Sequence, residues 1–326
     1  MWACVANTRG GSSRGMSHKF AVVVPTLNAE PLWPQWQSAV ASQRANPDKI
    51  LVLDSESTDG TPEAVKMAGY DYVKVKRSSF DHGATRQSAL SYISPGTEVV
   101  VFLTQDAILA SPDALQRIVA AFDDPIVGVA YGRQLPRPVA GIIEAHARLF
   151  NYPATSEVRA FEDRDRLGLK APFCSNSFAA YRVSALSEVG GFPFRAILSE
   201  DTVTAARMMK LGWKLAYVAD STVYHSHGYS VAEEFRRYFD IGALHSQEAW
   251  LLEDFGEPEG EGMRFVRSEI SALGRSVPHL IPLVFVKTIA KYVGYRLGRL
   301  ERRIPKSIKV QMSMNRGFWR KQASAG

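Results

Sequence analysis

Short apolar runs in the first third of the chain alternate with segments whose apolar residues recur at helical spacing. The apolar runs lie at Phe20 to Pro25, Lys49 to Leu53, Tyr72 to Val75 and Glu98 to Leu103. The helical patterns lie at Trp33 to Gln43, Pro62 to Ala68 and His82 to Tyr92. Continuous Val-rich runs are typical of strands buried on both faces of a parallel sheet. The order βαβαβαβ therefore predicts an α/β fold with a mostly parallel sheet flanked by helices.

After Pro125 the alternation weakens, and the pattern predicts an inserted lobe followed by the rest of the sheet. The lobe would contain a Pro-rich turn at Leu135 to Pro138, an amphipathic Val139 to Phe150 and a charged loop at Glu157 to Arg166. The remaining elements would be a strand near Ser177 to Tyr181, a helix at Thr202 to Lys210 and strands near Leu215 to Val218 and Thr222 to Tyr224. We therefore predict one α/β domain over 19–252, preceded by a disordered leader over 1–18.

The charge is distributed unevenly along the chain. The 39 Lys and Arg residues outnumber the 33 Asp and Glu residues, for a net charge of +6. From Lys287 onward eleven basic residues face one acid, Glu301, so the preceding part is slightly acidic. That part offers no cationic surface for a duplex, and we predict no nucleic-acid partner. An acidic Gly/Pro-bearing linker is predicted at 253–262, followed by a basic helical segment over 263–326.

The basic segment also carries an apolar stripe, which predicts docking on an anionic membrane surface. The alternative is that the stripe packs on the main domain or on a second subunit. Phe318 and Trp319 would add an interfacial aromatic pair. The apolar positions are Leu280, Ile281, Leu283, Val284, Phe285, Ile289, Tyr292, Val293, Tyr295 and Leu297.

The location predicted from the sequence is the cytoplasm, with peripheral attachment to the cytoplasmic face of the inner membrane. Lys287 and Lys291 interrupt the most apolar stretch, so no spanning helix is expected. The N-terminal residues have no apolar core typical of a secretory signal. Cys4 and Cys174 are far apart, which argues against a disulfide framework or a thiolate zinc site.

Polar clusters follow the predicted strand ends. Thr26 and Asn28 follow the first strand, Asp54 to Gly60 follows the second, and Thr104 to Asp106 follows the fourth. Ligands of such sheets bind beyond the carboxyl ends of the strands, so these clusters should meet at one cleft. Asp54 could accept the imide proton of a uracil or thymine ring, or serve only the turn. Asp106 could hold a divalent cation with phosphate oxygens, or be an ordinary strand-end residue.

Three further motifs carry candidate chemistry. The segment Ser199 to Thr202 opens a predicted helix, where the acids Glu200 and Asp201 could supply a general base, or Ser199 or Asp201 could only cap the helix. His225 and His227 lie on one face of an extended segment and could ligate a metal or be structural. The segment Phe80 to Gln87 could bind a pyrophosphate through its glycine, its helix N-terminus and its arginine, or be an ordinary loop.

Taken in order, these motifs resemble the family 2 inverting glycosyltransferases of GT-A fold, which is Rossmann-like, over about Lys19 to Trp250. The resemblance is carried by VVVPTLN, LDSESTDGT, TQDA, VGGF and SEDT. FDHGATRQ, YHSHGYS and KYVGYRLGR with the basic tail resemble bacterial rhamnosyltransferases that use dTDP-L-rhamnose. One departure is that Thr104-Gln105-Asp106 stands where the family often has Asp-x-Asp, so only Asp106 supplies a carboxylate.

The resemblance implies transfer of a deoxyhexose, L-rhamnose, from a dTDP-sugar donor to a saccharide or lipid-linked glycan acceptor, with inversion. Asp201 would be the catalytic base. Asp106 and His227 would hold Mg(II) or Mn(II), and Glu200 and His225 would contact donor or acceptor. The nucleotide-sugar would be bound by Pro25, Thr26, Asn28, Asp54, Ser57, Asp59, His82, Gly83, Arg86 and Gln105.

Three alternatives remain open from the sequence. The same fold could use UDP-galactofuranose, UDP-hexose or another dTDP-sugar. A sugar nucleotidyltransferase is disfavoured because no Gly-rich loop with Arg and Lys follows the first strand. A non-catalytic basic protein that binds through its tail is disfavoured by the three acidic strand ends.

Overall fold

The computed structural model describes residues 18–257 and 260–321. Residues 1–17 of the predicted leader, which include Cys4, lie outside these ranges. Residues 258–259 of the predicted linker lie outside them as well. The described strands are β1 (Phe20–Thr26), β2 (Lys49–Asp54), β3 (Asp71–Lys74), β4 (Val99–Leu103), β5 (Ile108–Leu109), β6 (Val127–Leu135), β7 (Glu157–Arg159), β8 (Phe178–Arg182) and β9 (Lys214–Tyr224).

The described helices pack on both faces of this sheet and extend beyond it at the C-terminal end. They are α1 (Trp33–Ala41), α2 (Thr61–Met67), α3 (His82–Ala89), α4 (Ala114–Ala120), α5 (Ile142–Asn151), α6 (Arg164–Leu167), α7 (Val183–Glu188), α8 (Glu200–Lys210), α9 (Val231–Gln247), α10 (Trp250–Phe255), α11 (Glu261–Ser276), α12 (Ile281–Arg299), α13 (Lys306–Met312) and α14 (Arg316–Lys321).

The strands form one sheet in the order β3-β2-β1-β4-β8-β6-β9-β5, with β7 paired to β9. Strands β3, β2, β1 and β4 are parallel, as predicted, whereas β8 runs antiparallel to both β4 and β6. The predicted α/β fold with a mostly parallel sheet is therefore confirmed. The carboxyl ends of β1, β2 and β4 lie at one edge, where the polar clusters follow.

The apolar runs form two cores, one on each face of the sheet. Val23 and Phe102 point into one core, while Val22, Val24 and Val101 point into the other. Each of these side chains is fully buried, as expected for central strands covered by helices on both sides. The two cores fix the strands rigidly and so position the residues that follow them.

One central strand, β6, has no counterpart in the sequence prediction. Its apolar run is interrupted by Gly128 and Gly132, which weaken the strand pattern. A Cβ at position 132 would lie 2.3 Å from the Phe178 ring, so packing requires glycine there. The two strands predicted near Leu215 to Tyr224 are one strand, β9, with a register shift.

The C-terminal helices pack on the α/β domain. Helix α12 packs along α9, and the backbones approach so closely that a Cβ on Gly242, Gly294 or Gly298 would overlap a facing carbonyl. Residues 253–255 of the predicted linker are instead the last turn of α10, because Leu252 and Phe255 are buried. One side of the predicted apolar stripe is thus covered by the protein itself.

The opposite side of α12 remains exposed. Exposed apolar residues recur along it with helical spacing, and Arg296 and Arg303 are exposed toward its C-terminal end. The exposed stripe of α12 consists of Leu283, Phe285, Val286, Ile289, Tyr292, Val293 and Leu300. The predicted interfacial pair is wrong for Trp319, which is fully buried against Phe239. Within the described residues no helix is long and apolar enough to cross a membrane.

Candidate active site

The strand-end polar residues meet at the edge of the sheet, centred on Asp54. This carboxylate is fully buried and accepts hydrogen bonds from Thr26 Oγ1 at 3.0 Å, Tyr72 OH at 3.0 Å and Ser57 N at 2.9 Å. The Ser57 hydroxyl donates to it as well. Because these donors occupy both carboxylate oxygens, Asp54 in this structure holds the turn together and presents no free oxygen to a base.

The other predicted nucleotide-binding residues join the loops after β1, β2 and β4. Gln105 accepts from Leu27 N at 2.7 Å and donates to Leu27 O at 3.1 Å. Asn28, with φ 50°, accepts from Thr58 N, and Asp59 accepts from Glu30 N and Thr61 N. Pro25 lies in β1 and is partly exposed. These residues form one network, and their role in nucleotide binding stays a prediction.

Helix α3 has different partners from those predicted. Asp81 caps it by accepting from Ala84 N, and a Cβ on Gly83 would lie 2.0 Å from the Pro193 carbonyl oxygen. Gly83 therefore allows close packing of the segment before α8, and its role in nucleotide-sugar binding stays a prediction. His82 and Arg86 both line the cleft. Arg86 is largely buried there, and its Nη1 lies 2.9 Å from Glu200 Oε1.

Asp106, His225 and His227 form a compact cluster after β4 and β9. The Nε2 atoms of both histidines lie 3.3 Å from Asp106 Oδ2 and 3.1 Å from each other. Ligands at right angles around an ion with bonds of about 2.1 Å would lie about 3.0 Å apart, close to these separations. Asp106 and His227 are partly exposed to the cleft, which leaves room for a ligand beside them.

The hydrogen bonds behind His225 test whether this cluster suits a cation. Gln134 Oε1 accepts from Arg148 Nη1 at 2.6 Å and lies 2.9 Å from His225 Nδ1. His225 Nδ1 must therefore be the donor, and burial lowers the pKa of this imidazole although Asp106 opposes the shift. The neutral ring then directs its Nε2 lone pair at a carboxylate. A cation between them would remove that repulsion, so the residues fit a divalent metal.

Arg137 adds a fixed positive charge to this cluster. Its Nη2 donates to Asp106 O at 2.9 Å and lies 3.7 Å from Asp106 Oδ2. A guanidinium here can bind the negative charge of a departing diphosphate. The sequence pattern gave only the Pro-rich turn around Arg137, so this role was missed.

Glu200 and Asp201 begin α8 after a strained residue. Ser199 has φ 56° and ψ 34°, a left-handed conformation that is uncommon for a residue with a side chain. Its side chain makes no capping hydrogen bond, so the predicted capping role of Ser199 is wrong. Glu200 is buried, and Asn176 Nδ2 and Arg86 both bind its Oε1. Burial opposes the charge on Glu200, but Arg86 and His82 outweigh it and lower its pKa.

Asp201 faces the cleft and has the properties of a base. Its oxygens accept from Asn176 N and Thr202 N, both at 2.8 Å, which fixes the orientation of the carboxylate. Burial, and then the negative charge of Glu200, raise the pKa of Asp201 to about 7. A carboxylate with this pKa can take a proton from a hydroxyl near neutral pH. Asn176, which contacts both acids, has no signal in the sequence beyond a polar triplet before β8.

A cleft of about 2140 Å³ joins the Asp106 cluster to Asp201 and continues to the C-terminal helices. Thr26, Asp54 and Ser57 are not among its lining residues, so the cleft does not reach the β1–β2 network. Two chemically different ends therefore meet at Asp106. One end is a polar network at the strand ends, and the other is a large cleft with a base in its wall.

Known proteins of one family match this chain. The glycosyl transferase family 2 model matches residues 21–190. The O-antigen chain rhamnosyltransferase RfbN of Salmonella typhimurium is 43% identical, over 92% of this chain and 96% of that protein. WbaN of Salmonella anatum, with the same description, is 42% identical over 92% of this chain and 95% of that protein.

Solved structures share the fold. A mannosyltransferase from Pyrobaculum calidifontis, in complex with GDP-Man and Mn²⁺, has a TM-score of 0.56 and 20% identity over 94% of this chain and 87% of that chain. TarS 1-349 of S. aureus, in complex with UDP-GlcNAc, has a TM-score of 0.52 and 16% identity over 87% and 91% of the two chains. The family model matches more than half of the chain, and the two Salmonella rhamnosyltransferases match 92% of it. The chain therefore belongs to glycosyl transferase family 2.

Proposed function

We propose that the protein transfers L-rhamnose from dTDP-L-rhamnose to a hydroxyl of a lipid-linked glycan during O-antigen synthesis. The observation that carries the reaction type is that Asp201, an oriented carboxylate with a raised pKa, shares a cleft with a metal-compatible cluster. The choice of rhamnose is supported by the 43% and 42% identical relatives, both O-antigen chain rhamnosyltransferases. The dTDP donor is supported by the sequence motifs that resemble enzymes using it.

The proposed reaction is a direct displacement with inversion. Asp201 takes the proton of the acceptor hydroxyl while the oxygen of that hydroxyl bonds to the anomeric carbon of the sugar. The bond from that carbon to the diphosphate oxygen breaks on the opposite side, and dTDP leaves with the electron pair. Arg137 binds the negative charge that develops there. No enzyme-bound sugar forms in this scheme.

Asp106, His225 and His227 would hold a divalent cation, which would neutralise charge on the leaving diphosphate. Two imidazoles with one carboxylate suit Mn(II) better than Mg(II), because Mg(II) prefers oxygen ligands. Gln134 and Arg148 keep the ring of His225 oriented toward this position. We therefore propose Mn(II) as the preferred ion.

A donor comparison tests the proposed substrate. The purified enzyme, with lipid-linked glycans extracted from cells that lack it, is expected to use dTDP-L-rhamnose at least about tenfold faster than other donors. The panel should include UDP-galactofuranose, UDP-glucose and dTDP-glucose, with products identified by mass spectrometry. Faster transfer from a UDP-sugar would contradict the rhamnose assignment while keeping the reaction type.

We also propose that the exposed stripe of α12 docks on an anionic membrane surface, at the cytoplasmic face of the inner membrane. Phe285, Tyr292 and Leu300 of this stripe also line the cleft, so the stripe borders the entry through which a lipid-linked acceptor would arrive. Exposed Arg296 lies within the stripe and exposed Arg303 follows it, and both suit anionic lipid headgroups. Several other basic side chains of this segment bind the protein, including Lys287 and Lys309.

Ile289→Asp tests this docking surface, because the residue is 63% exposed and contributes little to the core. We expect the fraction of protein bound to anionic vesicles to fall about tenfold, since burying such a side chain is worth about 1.5–3 kcal/mol. Met67→Asp, an equally charged change on exposed α2, is the control. Unchanged vesicle binding by Ile289→Asp, or a dimer in solution that this change disrupts, would overturn membrane docking.

A further inference from the structure

The cleft extends far beyond the reacting groups. From Asp106 and Asp201 it continues between α5, α9, α11 and α12, and Glu269 and Lys291 line its far part. A single reacting hydroxyl needs only the space beside Asp201. The far part must therefore have a different occupant.

Glu269 is the most unusual group in this far part. It is only 4% exposed, yet it lines the cleft. Within residues 18–257 and 260–321 no donor lies within hydrogen-bonding distance of its carboxylate, and it forms no ion pair. The side chain is largely removed from water and its oxygens have access only to the cleft. A carboxylate in such a place without a protein partner is costly, so a ligand that donates hydrogen bonds is expected to compensate it.

Charges of both signs surround Glu269. Lys291 lies 3.5 Å from Glu234, and Lys287 donates to the Tyr229 carbonyl oxygen. The lysines would repel a cation, and the two glutamates would repel a phosphate. A neutral ligand that both donates and accepts hydrogen bonds suits this arrangement.

Aromatic rings complete the wall. Phe265 lies edge-on to Phe150 with 5.2 Å between centroids, and Lys291 lies 5.0 Å from the Phe265 ring centre. Both phenylalanines line the cleft. Aromatic faces bind the C–H faces of sugar rings, while the hydroxyls of a sugar donate to carboxylates and accept from lysines.

We infer that Glu269, Glu234, Lys291 and Phe265 form a subsite for a saccharide unit of the acceptor, separate from the unit that carries the reacting hydroxyl. This subsite rests on the proposed function, since it lies in the same cleft as the proposed base, Asp201. Burial raises the pKa of Glu269, with Lys291 and Lys287 opposing the shift, as expected for a carboxylate removed from water.

Saturation-transfer NMR on the full chain with free galactose, mannose, glucose, rhamnose and N-acetylglucosamine tests the subsite. We expect at least one sugar to bind the unmodified enzyme, and Glu269→Gln to weaken its binding about tenfold through loss of a charged acceptor. Glu63→Gln, an exposed acid on α2, should leave binding unchanged. Glu269→Gln keeps the shape of the side chain, so folding should be preserved.

Binding of dTDP-L-rhamnose, measured on the same samples, separates the subsite from the proposed function. Retained donor binding in Glu269→Gln together with loss of the sugar signal supports the subsite. Binding of no sugar, or equal sugar binding by both proteins, overturns the subsite alone. Sugar binding without any binding of dTDP-L-rhamnose overturns the donor assignment alone.

Discussion

Asp201→Asn is expected to lower kcat by about 10²–10⁴-fold while leaving donor affinity nearly unchanged, because an amide cannot take the acceptor proton. The Asn side chain keeps the size of the carboxylate and one of its two acceptor oxygens, so only one of Asn176 N and Thr202 N keeps its partner. Turnover and calorimetric binding of dTDP-L-rhamnose, measured on the same preparation, check both parts. Asp165→Asn, on an exposed side chain of α6, is the matched control.

The raised pKa of Asp201 also predicts a pH dependence. A base works when deprotonated, so kcat/KM should reach its full value about one pH unit above the pKa of about 7, be half of it at the pKa, and fall about tenfold per unit well below it. Glu200 raises that pKa through its charge, so Glu200→Gln should move the acid limb to lower pH. An Asp201→Asn variant with more than half the normal rate, or an acid limb unmoved by Glu200→Gln, would contradict this assignment.

Removal of divalent metal is expected to have the next largest effect. Activity should fall at least about a hundredfold after chelation and return with Mn(II), because the leaving diphosphate would lose its neutralising charge. His225→Ala should raise the Mn(II) concentration needed for half-maximal activity. The exposed His279→Ala is its control.

Full activity in chelator-treated enzyme would contradict a role for metal at Asp106, His225 and His227. In that case Arg137 would be the nearest described cation able to bind the diphosphate. Arg137→Met would then be expected to reduce kcat more strongly than His225→Ala.

The sheet and its strand-end residues could be predicted because their signals are local. The apolar runs of β2 and β4 fix where each strand ends, and so where Asp54 and Asp106 lie. Strand β6 could not be predicted in the same way, because Gly128 and Gly132 serve packing against Trp213 and Phe178. Those contacts are distant in sequence and leave no local pattern.

The sequence could predict which residues belong to the candidate site, but not which side chains they contact. His225 and His227 could be grouped by their spacing, but their contact with Asp106 depends on how β9 crosses the sheet. The pairing of Arg86 with Glu200 depends likewise on how α3 packs against α8. Helix α12 shows the same limit, since its composition could not tell which apolar side chains pack on α9.

The configuration of the transferred sugar tests the central claim most directly. NMR of the product formed from dTDP-L-rhamnose would give the one-bond C1–H1 coupling of the new glycosidic linkage. The proposed displacement, in which Asp201 takes the acceptor proton and no carboxylate attacks the sugar, predicts an anomeric configuration opposite to that of the donor. Retention of the donor configuration would contradict it, because retention requires two displacements or attack from the leaving-group side.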